Sequence, residues 1–158
     1  AAPFLTLDLG AFKNMGLEGI SWDQRRKELV LVQEMWPVRV LVIGGLDRAV
    51  LGQGLGVTVR EWQPGSWTGH FVTDLSSVTV HDPTGNLMLL SDMSSILAEY
   101  APDGTPLGLL TLWSGWHGLT RWVPQAEGVA IGPDDAVFIV SEPNLFYRFD
   151  PAVTLSQP

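Results

Sequence analysis

The sequence contains no cysteine, which excludes disulfide bonds, thiol catalysis and zinc sites built on thiolates. Basic residues are also scarce. The chain has 9 Lys and Arg against 17 Asp and Glu, and the excess of acidic residues gives a formal net charge of −8. An acidic surface repels phosphate groups and anionic lipids, so we expect no nucleic-acid partner, whereas a cation is a compatible ligand. With 46% hydrophobic residues, the 158-residue chain is predicted to form a single folded domain over residues 1–158.

Long hydrophobic runs are missing too. No apolar segment approaches the ~18 residues that a membrane helix requires. The first residues, Ala-Ala-Pro, show neither the basic start nor the apolar stretch of an export signal, and there is no initiator methionine. These features predict a processed product or a piece of a longer protein, and they leave the compartment open.

Three segments of the chain repeat one order of features: a small or acidic triplet, a short strand, a turn and an apolar strand. Glu18, Ser76 and Glu127 occupy equivalent places in the three segments and lie 58 and 51 residues apart. The apolar runs at 29–32, 87–90 and 137–140 do not alternate with polar residues. A strand has this pattern when both of its faces are covered, as the inner strands of a propeller blade are.

Each repeat continues with further β-type segments, at 39–43, 96–100 and 145–149, and a fourth strand is predicted at 107–112. The sequence therefore predicts an all-β fold: a β-propeller of about three four-stranded blades, with repeats at approximately 16–60, 72–112 and 123–150. A β-sandwich would favour alternation, and a parallel α/β fold would need helices between its strands. The glycine-rich stretch around 44–56 is interpreted as a flexible insertion between blades.

Three blades do not close a ring, because propellers use about 4–8 blades and an open end exposes a sheet edge. The segment 4–9 is predicted to be the outer strand of a preceding blade, and the last repeat lacks a clear fourth strand. In the preferred interpretation, the remaining blades of a probable six-bladed ring belong to a longer parent chain. The alternative is that a second copy of this chain completes the ring with twofold symmetry.

Five motifs resemble the SdiA-regulated family of bacterial β-propellers: residues 16–20, 74–78, 89–92, 124–130 and 139–149. The resemblance covers about residues 4–150, and Ser77 stands where the family usually has glycine. It implies a ring of roughly six blades and a location in the bacterial periplasm or at a membrane-associated envelope, without an established activity. The family is in turn distantly similar to the gluconolactonase and paraoxonase propellers, which implies a calcium ion on the channel axis.

Glu18 and Glu127 begin innermost strands, which face the central channel of a propeller, so carboxylates from different blades are expected to converge there. Ser76 is in register with them, and Asp74 lies two residues earlier on the same strand face. Calcium takes about 6–8 oxygen ligands, and these four residues form the predicted metal site. The alternative interpretation is that the carboxylates cap turns or bind channel water.

A second acidic set ends the three apolar strands and consists of Glu34, Asp92 and Glu142. These side chains could reach one rim of the ring, but bracing the loops of the next blade is the preferred interpretation. The neighbouring Ser91 and Ser141 fit this role, since short hydroxyl side chains hydrogen-bond local backbone.

Tryptophan is abundant, with seven residues, and several fall in the connections between repeats. Trp62, Trp67, Trp113 and Trp116 could form one aromatic surface for a sugar, an aromatic ligand or a protein partner. Packing between blades is the alternative. Catalytic motifs are weak by comparison, since no Gly-x-Ser-x-Gly elbow occurs and Ser114 with His117 is only a possible dyad.

The predicted function is a non-catalytic, calcium-binding β-propeller of the bacterial envelope that binds an unidentified ligand or protein partner. One alternative is a metal-dependent hydrolase of the lactonase or esterase type, in which the ion polarises a substrate carbonyl. Another is a structural fragment without a site of its own.

Overall fold

The computed structural model describes residues 5–7, 16–34, 37–54, 56–65 and 72–151, and these form three antiparallel β-sheets that we call blades 1 to 3. Blade 1 has four strands in sequential order: β1 (Leu17–Asp23), β2 (Glu28–Gln33), β3 (Arg39–Gly44) and β4 (Thr58–Trp62). Blade 2 repeats that order: β5 (Ser77–His81), β6 (Asn86–Ser91), β7 (Ile96–Tyr100) and β8 (Pro106–Thr111). Blade 3 has three strands: β9 (Ala126–Ile131), β10 (Val137–Ser141) and β11 (Leu145–Phe149).

Aspartate side chains stabilise two of the short turns between neighbouring strands. In the turn between β1 and β2, the Asp23 carboxylate accepts hydrogen bonds from the backbone N–H groups of Arg25 and Arg26, at 2.9 and 3.0 Å. Asp103 accepts one from the N–H of Thr105 at 2.9 Å in the turn before β8. These side chains replace the backbone partners that a tight turn lacks, which is why aspartate is favoured there.

Both faces of blade 2 are buried, and this explains the unbroken apolar run of β6. Leu87 and Leu89 pack against blade 1, in a core that includes Val30 and Val32. Met88 and Leu90 point the other way and pack against blade 3. Successive strand residues face opposite sides of a sheet, so a strand between two blades needs apolar residues at every position.

The innermost strands make the closest contacts between blades, β1 with β5 and β5 with β9. At Gly19 in β1, an added Cβ atom would lie only 2.8 Å from the backbone nitrogen of Val78 in β5. Hydroxyl groups also bridge the junctions. The Val80 N–H donates to Ser21 Oγ at 3.0 Å, and the Val129 N–H donates to Ser77 Oγ at 3.3 Å.

The predicted all-β propeller architecture is confirmed, and the insertion around 44–56 is where the prediction was wrong. The stretch lies within blade 1, between β3 and β4, rather than between blades, and it contains a short helix, α1 (Leu46–Val50). Leu46 and Val57 pack against Leu31, Leu41 and Ile43 on the outward face of blade 1, and this apolar contact holds the insertion in place. The strand β4 beyond it was not predicted.

Half of the outer strand that was predicted at 4–9 lies outside the described residues. The part that is described, residues 5–7, is not in a strand, and Leu7 packs against the outward face of blade 1. In blade 3, the described residues after β11 contain no fourth strand.

Leu90→Ala should destabilise the fold strongly, because Leu90 is completely buried between blades 2 and 3. Truncation of a buried leucine to alanine costs about 2–5 kcal/mol of unfolding free energy. Urea denaturation followed by circular dichroism measures this loss. Leu107→Ala on the exposed side of β8 is the matched control, with an expected change within about 0.5 kcal/mol. A loss of similar size for both variants would contradict the two-sided burial of blade 2.

Candidate functional site

Acidic side chains from all three blades line one cleft of about 140 Å³ where the innermost strands begin. The lining consists of Glu18, Glu34, Asp74, Ser76, Asp92, Met93 and Glu127. The cleft thus contains the four residues of the predicted metal site together with two members of the second acidic set. The sequence placed these sets at opposite ends of different strands, whereas antiparallel pairing brings the end of one strand beside the start of its neighbour.

The electrostatics of the cleft are clearest at Glu127, at the start of β9. Partial burial of the carboxyl group raises its pKa above the ordinary value of 4.5, and the nearby carboxylates raise it further. In decreasing order of effect, those carboxylates are Asp92, Glu142, Glu18 and Glu34. Glu142 therefore acts on the site although it does not line the cleft. Like charges this close disfavour ionisation, so five carboxyl groups from three blades form one coupled cluster.

Asp74 and Ser76 are buried and have hydrogen-bonding roles within the fold. The Asp74 carboxylate accepts hydrogen bonds from the Ser91 hydroxyl group and from the backbone N–H groups of Asp92 and Met93, both at 3.2 Å. Ser76 donates from its hydroxyl group to the Ala126 carbonyl oxygen at 2.6 Å. Asp74 thus holds the turn after β6, and Ser76 joins blade 2 to blade 3.

The second acidic set also connects neighbouring blades, as Asp92 shows most clearly. Its Oδ1 atom accepts a hydrogen bond from the Ala126 N–H of blade 3 at 2.9 Å. At the junction of blades 1 and 2, the Leu75 N–H, which corresponds to that of Ala126, donates a hydrogen bond to the backbone carbonyl oxygen of Glu34 at 3.0 Å. Asp92 therefore braces the next blade and lines the acidic cleft at the same time.

The tryptophans that were grouped as one surface occupy different environments. Trp62 lies in the core between blades 1 and 2, with its Nε1–H donating to the Pro102 carbonyl oxygen at 2.9 Å and its ring edge-on to Tyr100. It is therefore a packing residue, as in the alternative interpretation. Trp113 and Trp116 are exposed, while Trp67 lies outside the described residues.

Trp113 and Trp116 belong to the connection between β8 and β9, which is closed by its own hydrogen bonds. Trp113 stacks on Trp122 with ring centroids 5.9 Å apart, and Trp122 is also exposed. Ser114 donates from its hydroxyl group to the Thr120 carbonyl oxygen at 3.1 Å. The ring of His117 packs edge-on against Phe149, so the possible dyad partners each have a structural contact.

Among the described residues, no group of three or more His, Asp or Glu side chains is placed so that it could hold a metal ion. The cleft supplies oxygen donors, but its carboxylates do not form a complete coordination sphere. The lining by Met93 was not predicted, because nothing in the repeat marks that position. The approach of Glu34 and Asp92 to Glu127 did have a signal, since both recur at the same place in the repeat.

No helix in the described part of the chain has the length and hydropathy of a membrane span.

Comparison with known proteins agrees with the fold. The family model described as SdiA-regulated matches residues 1–150. Similar solved structures include a catalytically inactive virginiamycin B lyase from Staphylococcus aureus with quinupristin, at a TM-score of 0.53 and 10% identity over 89% of this chain and 43% of that chain. The selenomethionine-substituted lyase from the same organism gives 0.51 and 10%, over 88% and 42%.

These likenesses, at 10% identity, establish the fold alone. The chain spans less than half the length of the solved structures that it matches.

Glu127→Gln should stabilise the protein at neutral pH in a buffer without divalent cations. The folded-state pKa of Glu127 lies above its unfolded value, so ionisation penalises folding above the folded pKa, and the penalty vanishes as the pH falls below about 4.5. We expect the melting temperature of the variant to exceed that of the parent by a few degrees at pH 7, since solvent screens the repulsion, and to match it at about pH 4. Differential scanning calorimetry at both pH values measures this.

The control for this experiment is Asp82→Asn, which removes one negative charge from an exposed turn of blade 2. Its melting temperature should follow the parent at both pH values. A Glu127→Gln variant that is no more stable than Asp82→Asn at pH 7 would contradict the coupling of the carboxylates.

Trp116→Phe and Trp122→Phe should each reduce the fraction of fluorescence that acrylamide quenches, because both side chains are exposed. Trp62→Phe should instead raise that fraction slightly, since it removes an emitter that is buried against Tyr100 and out of reach of acrylamide. Stern–Volmer plots of the three variants against the parent provide the comparison. Equal changes in all three would mean that the aromatic residues do not divide into core and surface groups.

Proposed function

The chain belongs to the SdiA-regulated family, and from this premise we propose that it is part of a non-catalytic β-propeller that binds a calcium ion between its innermost strands. The observation that carries the proposal is the convergence of carboxylates from three successive blades on one cleft. Those groups are Glu18, Glu34, Asp92 and Glu127, with Glu142 close enough to affect the pKa of Glu127.

The energetic reason for a cation is the repulsion within the cleft. Burial and four neighbouring carboxylates raise the pKa of Glu127, so the cluster is unfavourable when fully ionised. A divalent cation between these groups would offset that repulsion. The donors are carboxylate and hydroxyl oxygens, which suit a hard cation such as calcium better than the nitrogen- or sulfur-preferring metals.

We assign different roles to the four residues that were expected to bind the ion. Glu18 and Glu127 are the ligands, because both residues line the cleft and neither is enclosed by the fold. Asp74 and Ser76 are positioning residues, since each already makes hydrogen bonds that hold blade 2 in place. Calcium takes about 6–8 oxygens, so this chain supplies part of the coordination sphere, and water, backbone carbonyls or further blades supply the rest.

The exposed aromatic side chains support a role in binding a ligand or protein partner. The stacked Trp113 and Trp122, together with Trp116, combine large apolar area with indole N–H donors, which is typical of recognition surfaces. The location at the bacterial envelope follows from the family resemblance and is part of the same proposal.

Calcium should raise the melting temperature of the protein and release or absorb heat in isothermal titration calorimetry, and EDTA should reverse the stabilisation. Glu18→Gln and Glu127→Gln should each weaken calcium binding about tenfold or more, because each removes a charged ligand. Asp82→Asn, in an exposed turn, should bind calcium like the parent. Magnesium added in place of calcium should give a smaller effect, since it dehydrates reluctantly and demands a tighter geometry.

A parent protein that shows neither heat nor thermal stabilisation with calcium would contradict the proposal. So would calcium binding that is unchanged in both glutamine variants, because the ion would then lie elsewhere. Hydrolysis of aryl esters or lactones that EDTA abolishes would overturn the non-catalytic part of the proposal alone.

A further inference from the structure

An apolar cavity of about 190 Å³ lies at the internal junction between blades 1 and 2. Its floor consists of buried side chains from both blades: Val40, Trp62, Leu75, Leu89 and Tyr100. Protein interiors rarely contain voids larger than a water molecule. An engineered apolar cavity of roughly 150 Å³ stays dry and binds benzene, so this cavity has the size and lining to hold a compact ring.

The aromatic wall of the cavity is fixed by contacts within the fold. The Trp62 Nε1–H donates a hydrogen bond to the Pro102 carbonyl oxygen at 2.9 Å. The Trp62 ring also packs edge-on against Tyr100, with ring centroids 5.4 Å apart. Aromatic rings prefer edge-on or offset-stacked neighbours, and a wall that is already ordered lowers the entropic cost of binding. These contacts favour an aromatic ligand.

The mouth of the cavity carries a carboxylate, because Glu61 and Gln63 line it and are exposed. Glu61 Oε1 accepts a hydrogen bond from Gln63 Nε2 at 2.9 Å. Glu61 Oε2 lies 3.9 Å from Arg39 Nε, which is beyond hydrogen-bonding distance. This second oxygen is therefore suited to accept a hydrogen bond from an N–H group of a ligand.

Protein side chains pack tightly at the equivalent place between blades 2 and 3. Val72 and Val123 are equivalent, since they lie four residues before Ser76 and Glu127, the matching positions of their repeats. Val123 is 3% exposed and packs in one core with the completely buried Leu112. Val72 is only half-buried and lines the cavity. The open space is thus a feature of the first junction and not of the repeat.

We propose that this cavity binds a compact aromatic molecule of one or two fused rings that carries an N–H donor. The ring lies against Trp62, Leu75 and Leu89, and the N–H group donates to Glu61. The described residues that line the cavity are all different from those that line the acidic cleft. The site therefore goes beyond the proposed cation site and does not depend on it.

A titration with indole, followed by nuclear magnetic resonance of leucine and valine methyl groups, tests the proposal on the whole chain. Indole should shift the methyl signals of Val40, Leu75 and Leu89 in a saturable way and give intermolecular Overhauser effects to them. The methyl groups of Leu90 and Leu97, which belong to the other junction, are the internal control and should keep their positions.

Indane tests the N–H donor, because it has nearly the shape of indole without the N–H group. We expect indane to bind in the same place about two- to tenfold more weakly, which is the value of one hydrogen bond in water. Glu61→Ala should remove this difference, so that indole and indane bind alike. Equal affinities for the parent protein would overturn the assigned ligand class.

Val72→Phe tests the space itself by filling it. The variant should weaken indole binding about tenfold or more and keep a melting temperature within about 2 °C of the parent, since the added ring occupies a void. Val123→Phe is the matched control at the equivalent position. It should lower the melting temperature by several degrees, because the added ring would overpack a filled core.

Three further outcomes would overturn the proposal. One is the lack of any methyl shift up to the solubility limit of indole, and another is a set of shifts confined to residues outside the cavity. The third is a Val72→Phe variant that is destabilised as much as Val123→Phe, which would mean that the first junction has no space to fill. Calcium titrations of the same samples report on the acidic cleft alone, so the proposed function and this site fail separately.

Discussion

The structure depends on one constraint, that a blade in the interior of a propeller must bury both of its faces. Blade 2 satisfies it with alternating side chains of β6, of which Leu89 packs on blade 1 and Leu90 on blade 3. Close packing then requires the innermost strands to approach one another, which is why glycine occupies position 19 at the contact with β5. The same approach brings the ends of these strands, and the polar residues they carry, around a common cleft.

This constraint also explains which features could be predicted from the sequence. Covered strands leave unbroken apolar runs, and the recurring order of features around them identified Glu18, Ser76 and Glu127 as one position in three blades. The helix α1 and the strand β4 were missed because the insertion between β3 and β4 has no counterpart in the other repeats, and its packing depends on apolar contacts with Leu31 and Leu41 rather than on any local motif.

Side-chain roles were harder to predict than positions. Asp74 was expected at a metal site, but its carboxylate accepts hydrogen bonds from three donors at the end of β6 and in the turn after it. Those donors lie 17 to 19 residues away along the chain, so they reach Asp74 only through the tertiary fold. Trp62 and Trp116 both fall near connections between strands, yet one ends a strand that packs on blade 2 and the other sits in a hydrogen-bonded loop. Sequence position alone does not distinguish them, because burial is decided by what the next blade covers.

The acidic cleft is therefore a consequence of the same packing that makes the fold stable. A nuclear magnetic resonance titration of the Glu127 carboxyl group tests this convergence most directly. The account predicts a pKa above the ordinary value of 4.5 that falls towards it in Glu18→Gln, because the two residues belong to different blades and meet only if the innermost strands share an axis. A Glu127 that titrates at its ordinary value and does not respond to Glu18→Gln would contradict the account.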